Sequence, residues 1–428
     1  MMRWMLGMLL GVFTTLLAQV PNQEVVLSAS AGSRVGVAFP APQVAGLDAG
    51  LVNRELRDVV VSDLDDAGPF SVITKSLPAS TEPPAYPAWV QTGTDWLLVC
   101  RVSAQAASEM EVLLRVVDVK SGKPIFNKKY TGKVAVMRRV AHTIADDLTA
   151  RLTGEKGVAT SRVVFVRQLA PGVKEIFQVD RDGANLHQIT HHRSLSLSPT
   201  IAADGRIAYV TYKGGAPEIW GQVKAGGPDV KIYPRGDSPA GHCFAPAWSP
   251  DGRRLALVQG DRRGNSDIVV FDLGSGRVRR LTDSNCINTE PSWNPAGTQI
   301  AFTSDREGSP QVYLMEDDGS NVRRLTREGN YNASPAWSPN GSMIAYVSRF
   351  EGKFDLFVYK LGEGKSYQIT TGVASSESPS WSSDERQIVF SSGSLGGMRI
   401  YTTDLSGNTV RKLTEFAGCQ SPKWTGTR

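Results

Sequence analysis

A repeat of about 44 residues fills the C-terminal part of this 428-residue chain and constrains its fold more than any other feature. Each copy begins with a motif built around a proline and a tryptophan, such as PAWSPDG, PSWNPAG or PAWSPNG, and ends with RRLT or QIT. The repeated tryptophans lie 45, 44, 44 and 43 residues apart: Trp248, Trp293, Trp337, Trp381 and Trp424. Such a period indicates units that bury their apolar faces against their neighbours. We expect the tryptophans to pack in the cores of these units.

Alternating apolar segments predict four short strands in each repeat, which is typical of one blade of a β-propeller. A degenerate copy at 199–205 brings the count to six blades within residues 162–428. Residues 162–190 supply three strands but lack the proline–tryptophan start, whereas SPKW (421–424) is such a start with no strand after it. The C-terminal strand is therefore predicted to be the innermost strand of the first blade and to close the ring.

The chain before the repeats has a different pattern, which predicts an N-terminal α/β domain over residues 19–154. Apolar positions recur at helical spacing in two segments, 51–68 and 136–154, and Gly154 stands where a left-handed helix C-cap belongs. Alternating or β-branched runs predict strands at 35–39, 70–74, 95–102, 111–119 and 124–130. Residues 155–161 are the predicted linker to the propeller.

The first 18 residues have the pattern of a secretory signal peptide. After Arg3 no charged residue occurs until Glu24, and the apolar run between them is shorter than the roughly 20 residues of a membrane-spanning helix. We expect cleavage near Ala18, with an uncleaved N-terminal anchor as the alternative. Export would place the chain where disulfides form, but its four cysteines are far apart, so buried thiols or one bridge are expected.

Composition and motifs exclude several classes of function. The net charge is only +5, and the chain has no concentrated basic segment, so nucleic-acid binding is not expected. Neither HExxH nor GxSxG occurs, and Gly364-Lys365-Ser366 lacks the rest of a phosphate-binding loop. We predict no catalytic residue, no cofactor and no metal ligand, although three loop histidines leave a metal site as an alternative: His191, His192 and His242.

The connectivity of a propeller sorts its loops between two faces. In an antiparallel blade, the link to the next blade lies on the same face as the turn between the second and third strands. These links are long and irregular, and they occupy residues 191–198, 234–245, 283–290, 327–334, 371–378 and 415–420. The opposite face carries tight turns of DG, NG or GSG type. We therefore predict the functional surface on the link face, around the mouth of the central channel.

Several of these features together resemble the TolB family. They are the signal peptide, an α/β domain containing VGVAFP and VVVSDLDDAGPF, the junction AHTIADDLTARLTGEKGVATSRVVFV (141–166), and six blades of PxWSPDG…RRLT type. TolB is the periplasmic component of the Tol-Pal system in bacteria with an outer membrane. The resemblance implies a monomeric, non-enzymatic scaffold that binds the lipoprotein Pal through the propeller and TolA through a mobile N-terminal segment. Its role would be outer-membrane integrity and constriction during cell division, with other outer-membrane lipoproteins or porins as further candidate partners.

The resemblance also implies which residues contact Pal. They lie in GHCFAPAW (241–248) and NTEPSW (288–293), where four positions match the family pattern: His242, Ala245, Thr289 and Glu290. Cys243 and Phe244 depart from the polar and small pair that the family pattern predicts. The segment from Gln19 to Ser33 departs from the family more strongly.

A second hypothesis comes from a different functional class, that of an exported propeller hydrolase or lyase acting on envelope glycans or peptides. Such an enzyme needs acidic or nucleophilic side chains that converge in the channel. The carboxylates available in the links are those of Glu290, Glu328 and Glu377, and they stand at different offsets within their repeats.

Overall fold

The computed structural model of the protein describes residues 34–426 in two compact units, which divide between Glu155 and Lys156. The description leaves out residues 75–77, 79, 83–84, 107, 235–241, 262, 284, 351, 373 and 395. The predicted signal peptide and the N-terminal segment up to Ser33 lie outside the described residues.

In the first unit, six strands form one mixed sheet in the order β3-β1-β4-β5-β6, with β2 paired to β4. Their bounds are β1 Val35–Ala38, β2 Gln43–Ala45, β3 Phe70–Ile73, β4 Trp96–Ala106, β5 Glu109–Asp118 and β6 Lys123–Lys133. Strand β1 runs parallel to β3 and β4, whereas β4, β5 and β6 form an antiparallel meander. This unit therefore combines parallel and antiparallel pairing, as an α/β fold with a hairpin extension requires.

Four α-helices accompany this sheet, and the two long helical segments match the predicted periodicity. They are α1 Ala49–Val52, α2 Asp58–Asp66, α3 Tyr86–Gln91 and α4 Met137–Thr153, with a π-helical turn at Asn53–Arg57 and a 3-10 turn at Val134–Val136. Gly154 ends α4 with φ of +75°, the left-handed C-cap expected from the sequence. Helix α3 and strand β2 were not predicted, because six and three residues are too few to show a period.

The second unit is a six-bladed propeller of four-stranded antiparallel sheets, counted over the described residues. Its first twelve strands are β7 Arg162–Ala170, β8 Val173–Asp180, β9 His187–Gln188, β10 Ser196–Ile201, β11 Ile207–Thr211, β12 Glu218–Gln222, β13 Asp229–Tyr233, β14 His242–Trp248, β15 Arg254–Gly260, β16 Ser266–Asp272, β17 Val278–Arg280 and β18 Asn288–Trp293. The remaining twelve are β19 Gln299–Ser304, β20 Gln311–Glu316, β21 Arg323–Arg324, β22 Asn332–Trp337, β23 Met343–Phe350, β24 Lys353–Lys360, β25 Lys365–Gln368, β26 Ser375–Trp381, β27 Gln387–Gly393, β28 Arg399–Asp404, β29 Val410–Lys412 and β30 Cys419–Trp424.

The ring closes as the sequence predicted. The sheet of blade 1 has the order β30-β7-β8-β9, so the C-terminal strand is its innermost strand. Blades 2 to 6 follow the chain, each with its first strand innermost: β10–β13, β14–β17, β18–β21, β22–β25 and β26–β29. Trp424 fixes the closing strand, because its indole Nε1 donates a hydrogen bond to the Ser161 hydroxyl at 2.7 Å.

The repeated tryptophans pack between blades, which confirms their predicted core role. Trp293 Nε1 donates to the carbonyl of Ala247 in the preceding blade at 3.2 Å, and Trp381 Nε1 donates in the same way to Ala336 at 2.9 Å. The guanidinium of Arg254 lies 4.7 Å from the Trp293 ring centre, over the same seam. In blades 4 and 6 a tryptophan thus joins its blade to the preceding one by a hydrogen bond.

The threonine that ends each repeat has a structural role that explains the motif. In blade 3, Thr282 Oγ1 accepts from the Ile268 amide at 2.9 Å and donates to Asp267 Oδ1 at 2.8 Å. In blade 4, Thr326 makes the same pair of bonds with the amide of Val312 and the side chain of Gln311. Because these atoms are buried, the hydroxyl satisfies groups that water does not reach.

Candidate functional site: the propeller channel and its mouth

Every inner strand is interrupted at the residue before its repeat proline. In β14, pairing with β15 shifts between Phe244 and Ala247, and in β18 pairing with β19 shifts between Thr289 and Ser292. The residue in each bulge has a left-handed backbone, with φ between 47° and 56°: Ser198, Ala245, Glu290, Ser334, Ser378 and Ser421. We call these six residues the bulge ring. Left-handed backbone is unfavourable for residues with a side chain, so the fold holds six strained positions around one axis.

This strand geometry corrects the predicted extent of the links. The last two to four residues of each predicted link belong to the following inner strand, so His242, Thr289 and Glu290 lie in strands and not in loops. The bulge is the reason, because it lets pairing continue on the N-terminal side of a proline that has no amide hydrogen to donate. The candidate site is therefore built on sheet edges, which hold side chains more firmly than free loops do.

A cavity of about 270 Å³ lies on the propeller axis, inside the bulge ring. All six inner strands contribute to its wall, and each contacts the next inner strand around a closed circle. Most lining side chains are serine, threonine, alanine or proline, with three of the tryptophans behind them. Among the described residues, Glu290 and Lys423 are the charged side chains that line it.

Glu290 joins blade 4 to blade 5 at the bulge ring. Its Oε2 accepts hydrogen bonds from the Ser334 amide at 2.8 Å and from Thr303 Oγ1 at 2.9 Å. Its Oε1 accepts from the Ser334 hydroxyl at 2.7 Å. Three donors therefore hold this carboxylate against the neighbouring blade, which fixes its position at the channel wall.

Three further ionisable groups share the electrostatic environment of Glu290. Burial raises the pKa of Glu377, and the nearby negative charge of Glu290 raises it further. Burial lowers the pKa of Lys423, while the charge of Glu290 opposes that shift. The phenol pKa of Tyr331 is raised by burial and then by Glu290 and Glu377. Glu290 and Lys423 thus line the channel, and Glu377 is close enough for its carboxyl group to respond to the charge of Glu290.

Of the four residues implied to contact a partner, two line the cavity and two do not. Ala245 and Glu290 are bulge-ring members of adjacent blades and line the same cavity. Thr289 precedes Glu290 in β18 and is half-buried. His242 begins β14 and is exposed, and residues 235–241 of the preceding link lie outside the described part of the chain. The structure therefore brings Ala245 and Glu290 to one cavity, whereas Thr289 and His242 are not among its lining residues.

The two residues that depart from the family pattern are directed into blade packing. Cys243 is buried, and its thiol donates to the Pro217 carbonyl at 3.1 Å. Phe244 is half-buried against the same core cluster. Cys243 therefore acts as a core residue.

All four cysteines are free thiols. Burial raises the thiol pKa of Cys100 and Cys243 to about 12 and that of Cys419 to about 11.

The loop histidines do not form a set of metal ligands within the described residues. His192 instead lies against its own blade, with Nδ1 at 3.2 Å from the hydroxyls of Ser196 and Thr211. Burial and the nearby Lys213 ammonium lower the pKa of His192.

In the described part of the chain, no helix is both long and apolar enough to cross a membrane.

Sequence reasoning missed Lys423 as a channel residue. The signal was present in the repeat, since the residue after the repeat proline is small in the other five copies: Thr200, Ala247, Ser292, Ala336 and Ser380. A lysine at the same position of the last copy is the exception. Comparing equivalent positions across blades would have found Lys423.

Comparison with known proteins matches both units of the chain. A family model described as the TolB amino-terminal domain matches residues 24–125, and one described as the TolB beta propeller domain matches residues 149–428. The crystal structure of TolB from Acinetobacter baumannii superposes with a TM-score of 0.77 at 25% identity, covering 92% of this chain and 97% of that chain.

Two curated relatives are similar over part of their length. The protein TolB homolog of Chlorobium chlorochromatii (strain CaD3) is 35% identical over 206 residues, which are 47% of this chain and 45% of that protein. The Tol-Pal system protein TolB of Gluconobacter oxydans (strain 621H) is 33% identical over 248 residues, 56% of this chain and 52% of that protein. The chain thus aligns with about half the length of these relatives. Because the propeller model covers more than half of the chain, this protein belongs to the TolB family.

Proposed function

We propose that this chain is a periplasmic, non-enzymatic scaffold of a Tol-Pal system that docks the lipoprotein Pal on the link face of its propeller. The observation that carries the proposal is the position of Ala245 and Glu290 in adjacent blades of the bulge ring, at one cavity. These two residues match the family's Pal-contacting pattern, and they lie on the face selected independently from blade connectivity. The exposed His242 and the half-buried Thr289 extend the same surface outward.

A rigid surface suits this role. The inner strands are fixed by the ring of inter-blade contacts and by the Glu290–Ser334 hydrogen bonds. A partner that binds such a surface orders few groups on association, so little conformational entropy is lost. In the proposal, Thr289 and His242 supply polar contacts at the rim, and Glu290 both supports the wall and contributes its charge.

The second partner in the proposal is TolA, engaged by the N-terminal segment of the mature chain. The proposed division is a signal peptide at 1–18, an α/β domain with that segment at 19–154, a linker at 155–161 and the propeller at 162–428. Deletion of residues 19–33 should abolish TolA binding and leave Pal binding unchanged. If TolA binding persisted in surface plasmon resonance, another surface would carry it.

The absence of enzymatic activity is also part of the proposal. Glu290 is held by three donors of its own fold, and Glu328 is exposed, which gives little support to a shared catalytic role. Glu377 is the carboxyl with a raised pKa in this region, so it is the group to test. We expect no turnover of peptidoglycan fragments by the purified protein. Turnover that Glu377→Gln abolishes would revive the hydrolase or lyase hypothesis.

Affinity capture from crosslinked cell envelopes tests the partner assignment. The tagged mature chain should recover a peptidoglycan-binding lipoprotein, identified by mass spectrometry, and the His242→Ala variant should recover much less of it. His187→Ala is the matched control, because His187 is an equally exposed histidine on the outer strand of blade 1. Equal recovery by both variants would remove His242 from the contact surface, and recovery of no lipoprotein by the wild type would contradict the proposal.

A further inference from the structure

The amine of Lys423 has no partner in the channel wall. This side chain lines the cavity and forms no hydrogen bond or ion pair with any described residue. A charge removed from water and left unpaired is unfavourable, so such groups normally bind a counter-ion or lose their proton. The half-buried Lys423 side chain therefore offers a binding group that the fold itself does not use.

Three hydroxyls of the bulge ring line the same cavity as this amine and are also unused. Ser378, Ser421 and Ser198 belong to blades 6, 1 and 2, which are consecutive around the ring, and Lys423 lies in the middle one. None of the three hydroxyls has a hydrogen-bond partner among the described residues. One half of the channel wall thus offers a cation and three O–H donors, which is a set suited to an oxyanion.

The opposite half of the wall has the opposite charge. Glu290 lies in blade 4, three blades from Lys423 in a ring of six, and no ion pair joins the two side chains. The Glu290 carboxylate accepts hydrogen bonds from Ser334 and Thr303. Its two oxygens still have lone pairs that can accept a hydrogen bond from a ligand. A ligand that spans the channel would therefore meet a positive side and a negative side.

We propose that the propeller channel binds a small zwitterion of amino-acid size, with its carboxylate against Lys423 and its ammonium group toward Glu290. The size follows from the cavity, whose volume of about 270 Å³ is below the range of drug-sized pockets, roughly 300–1,000 Å³. The carboxylate of the ligand is essential for binding, because it is the group that pairs with the Lys423 amine. The ammonium group adds selectivity through Glu290, whose own hydrogen bonds are already made.

Ligand-observed NMR with the purified mature chain tests this proposal directly. The probes are L-alanine, propionate and n-propylamine, which carry both charges, the carboxylate alone and the amine alone. L-Alanine is expected to bind most tightly, propionate more weakly, and n-propylamine not at all. Trialanine serves as a fourth probe, because a carboxylate in this channel could also be the C-terminus of a peptide. Failure of both L-alanine and propionate, or tighter binding of trialanine than of L-alanine, would overturn the proposal.

Lys423→Ser provides the decisive variant. Serine already occupies the equivalent position in blades 4 and 6, so the substitution restores the repeat pattern and should fold. It should weaken L-alanine binding at least about tenfold, since a charge-assisted contact is lost. The exposed Lys224→Ser is the control and should bind like the wild type. Unchanged binding by Lys423→Ser, with a native circular dichroism spectrum, would show that Lys423 is not the counter-ion.

Discussion

At the scale of single residues, the bulge ring is the feature least expected from general rules. A residue before proline normally adopts extended backbone, yet six such residues are left-handed here. Ser378 tests the cost, because its side chain makes no hydrogen bond with a described residue. Ser378→Val should destabilise the protein by about 1–2 kcal/mol, since a β-branched residue fits left-handed backbone poorly.

Glycine at the same position separates backbone strain from loss of the side chain. Ser378→Gly should remain within about 1 kcal/mol of the wild type, because glycine adopts positive φ without strain while losing more entropy on folding. The measurement is equilibrium unfolding in urea for both variants. Equal destabilisation by valine and glycine would mean that the serine side chain, and not its backbone, is what matters.

The raised pKa of Glu377 predicts a pH dependence of stability with a definite sign. The folded protein binds this proton more tightly than the unfolded chain, whose glutamate pKa is near 4.5. Compared with Glu377→Gln, the wild type should therefore lose stability as pH rises from 4.5 through the raised pKa of the folded state. Urea unfolding over this pH range measures the difference between the two proteins. The exposed Glu328→Gln controls for the charge change, and a Glu377→Gln curve parallel to the wild-type curve would contradict the prediction.

At the scale of elements, the terminal threonine of each repeat should contribute more than its size suggests. Thr282→Val keeps the shape but leaves the Ile268 amide and the Asp267 carboxylate without this hydroxyl. The expected loss is about 1–3 kcal/mol in the free energy of unfolding. Thr298→Val, on an exposed hairpin of blade 4, should change it by less than about 0.5 kcal/mol. Similar small losses for both variants would mean that the buried hydroxyl contributes little.

The closing strand is an element whose contribution can be divided between packing and hydrogen bonding. Trp424→Ala should cost about 3–5 kcal/mol, because a large buried side chain leaves a cavity at the joint between β30 and β7. Ser161→Ala removes the hydroxyl that accepts from the indole and donates to the Val158 carbonyl, and it should cost about 1–3 kcal/mol. Urea unfolding of the two single variants and the double variant gives their coupling. Additive losses would show that the hydrogen bond plays no part in closure.

The sequence predicted the propeller, the number of blades and the ring closure because each depends on a long period that survives local variation. It also predicted helix α4, whose apolar residues recur every four positions up to Gly154. It missed α3 and β2, which are too short to show a period. The bulge ring could not be predicted, because the rule for residues before proline indicates extended backbone, and only the closed ring of inner strands holds these residues otherwise.

At the scale of the whole molecule, the proposed function places binding on the link face of the propeller and leaves the opposite face structural. Blade 4 offers the sharpest comparison, since Thr289 lies beside Glu290 on the link face and Thr298 lies on the hairpin of the opposite face. An arginine at either position adds a long side chain to its own face, so only the substitution on the docking face should block Pal. Thr298 is exposed and Thr289 is half-buried in its strand, so both variants should be checked for native unfolding behaviour first.

Isothermal titration calorimetry of purified Pal against the mature chain measures directly whether the link face docks Pal. Thr289→Arg is predicted to weaken Pal binding at least about tenfold, because the long side chain obstructs the rim of the channel mouth. Thr298→Arg is predicted to bind Pal like the wild type. Pal affinity unchanged by Thr289→Arg, or lowered equally by both substitutions, would contradict the assignment of the link face as the docking surface.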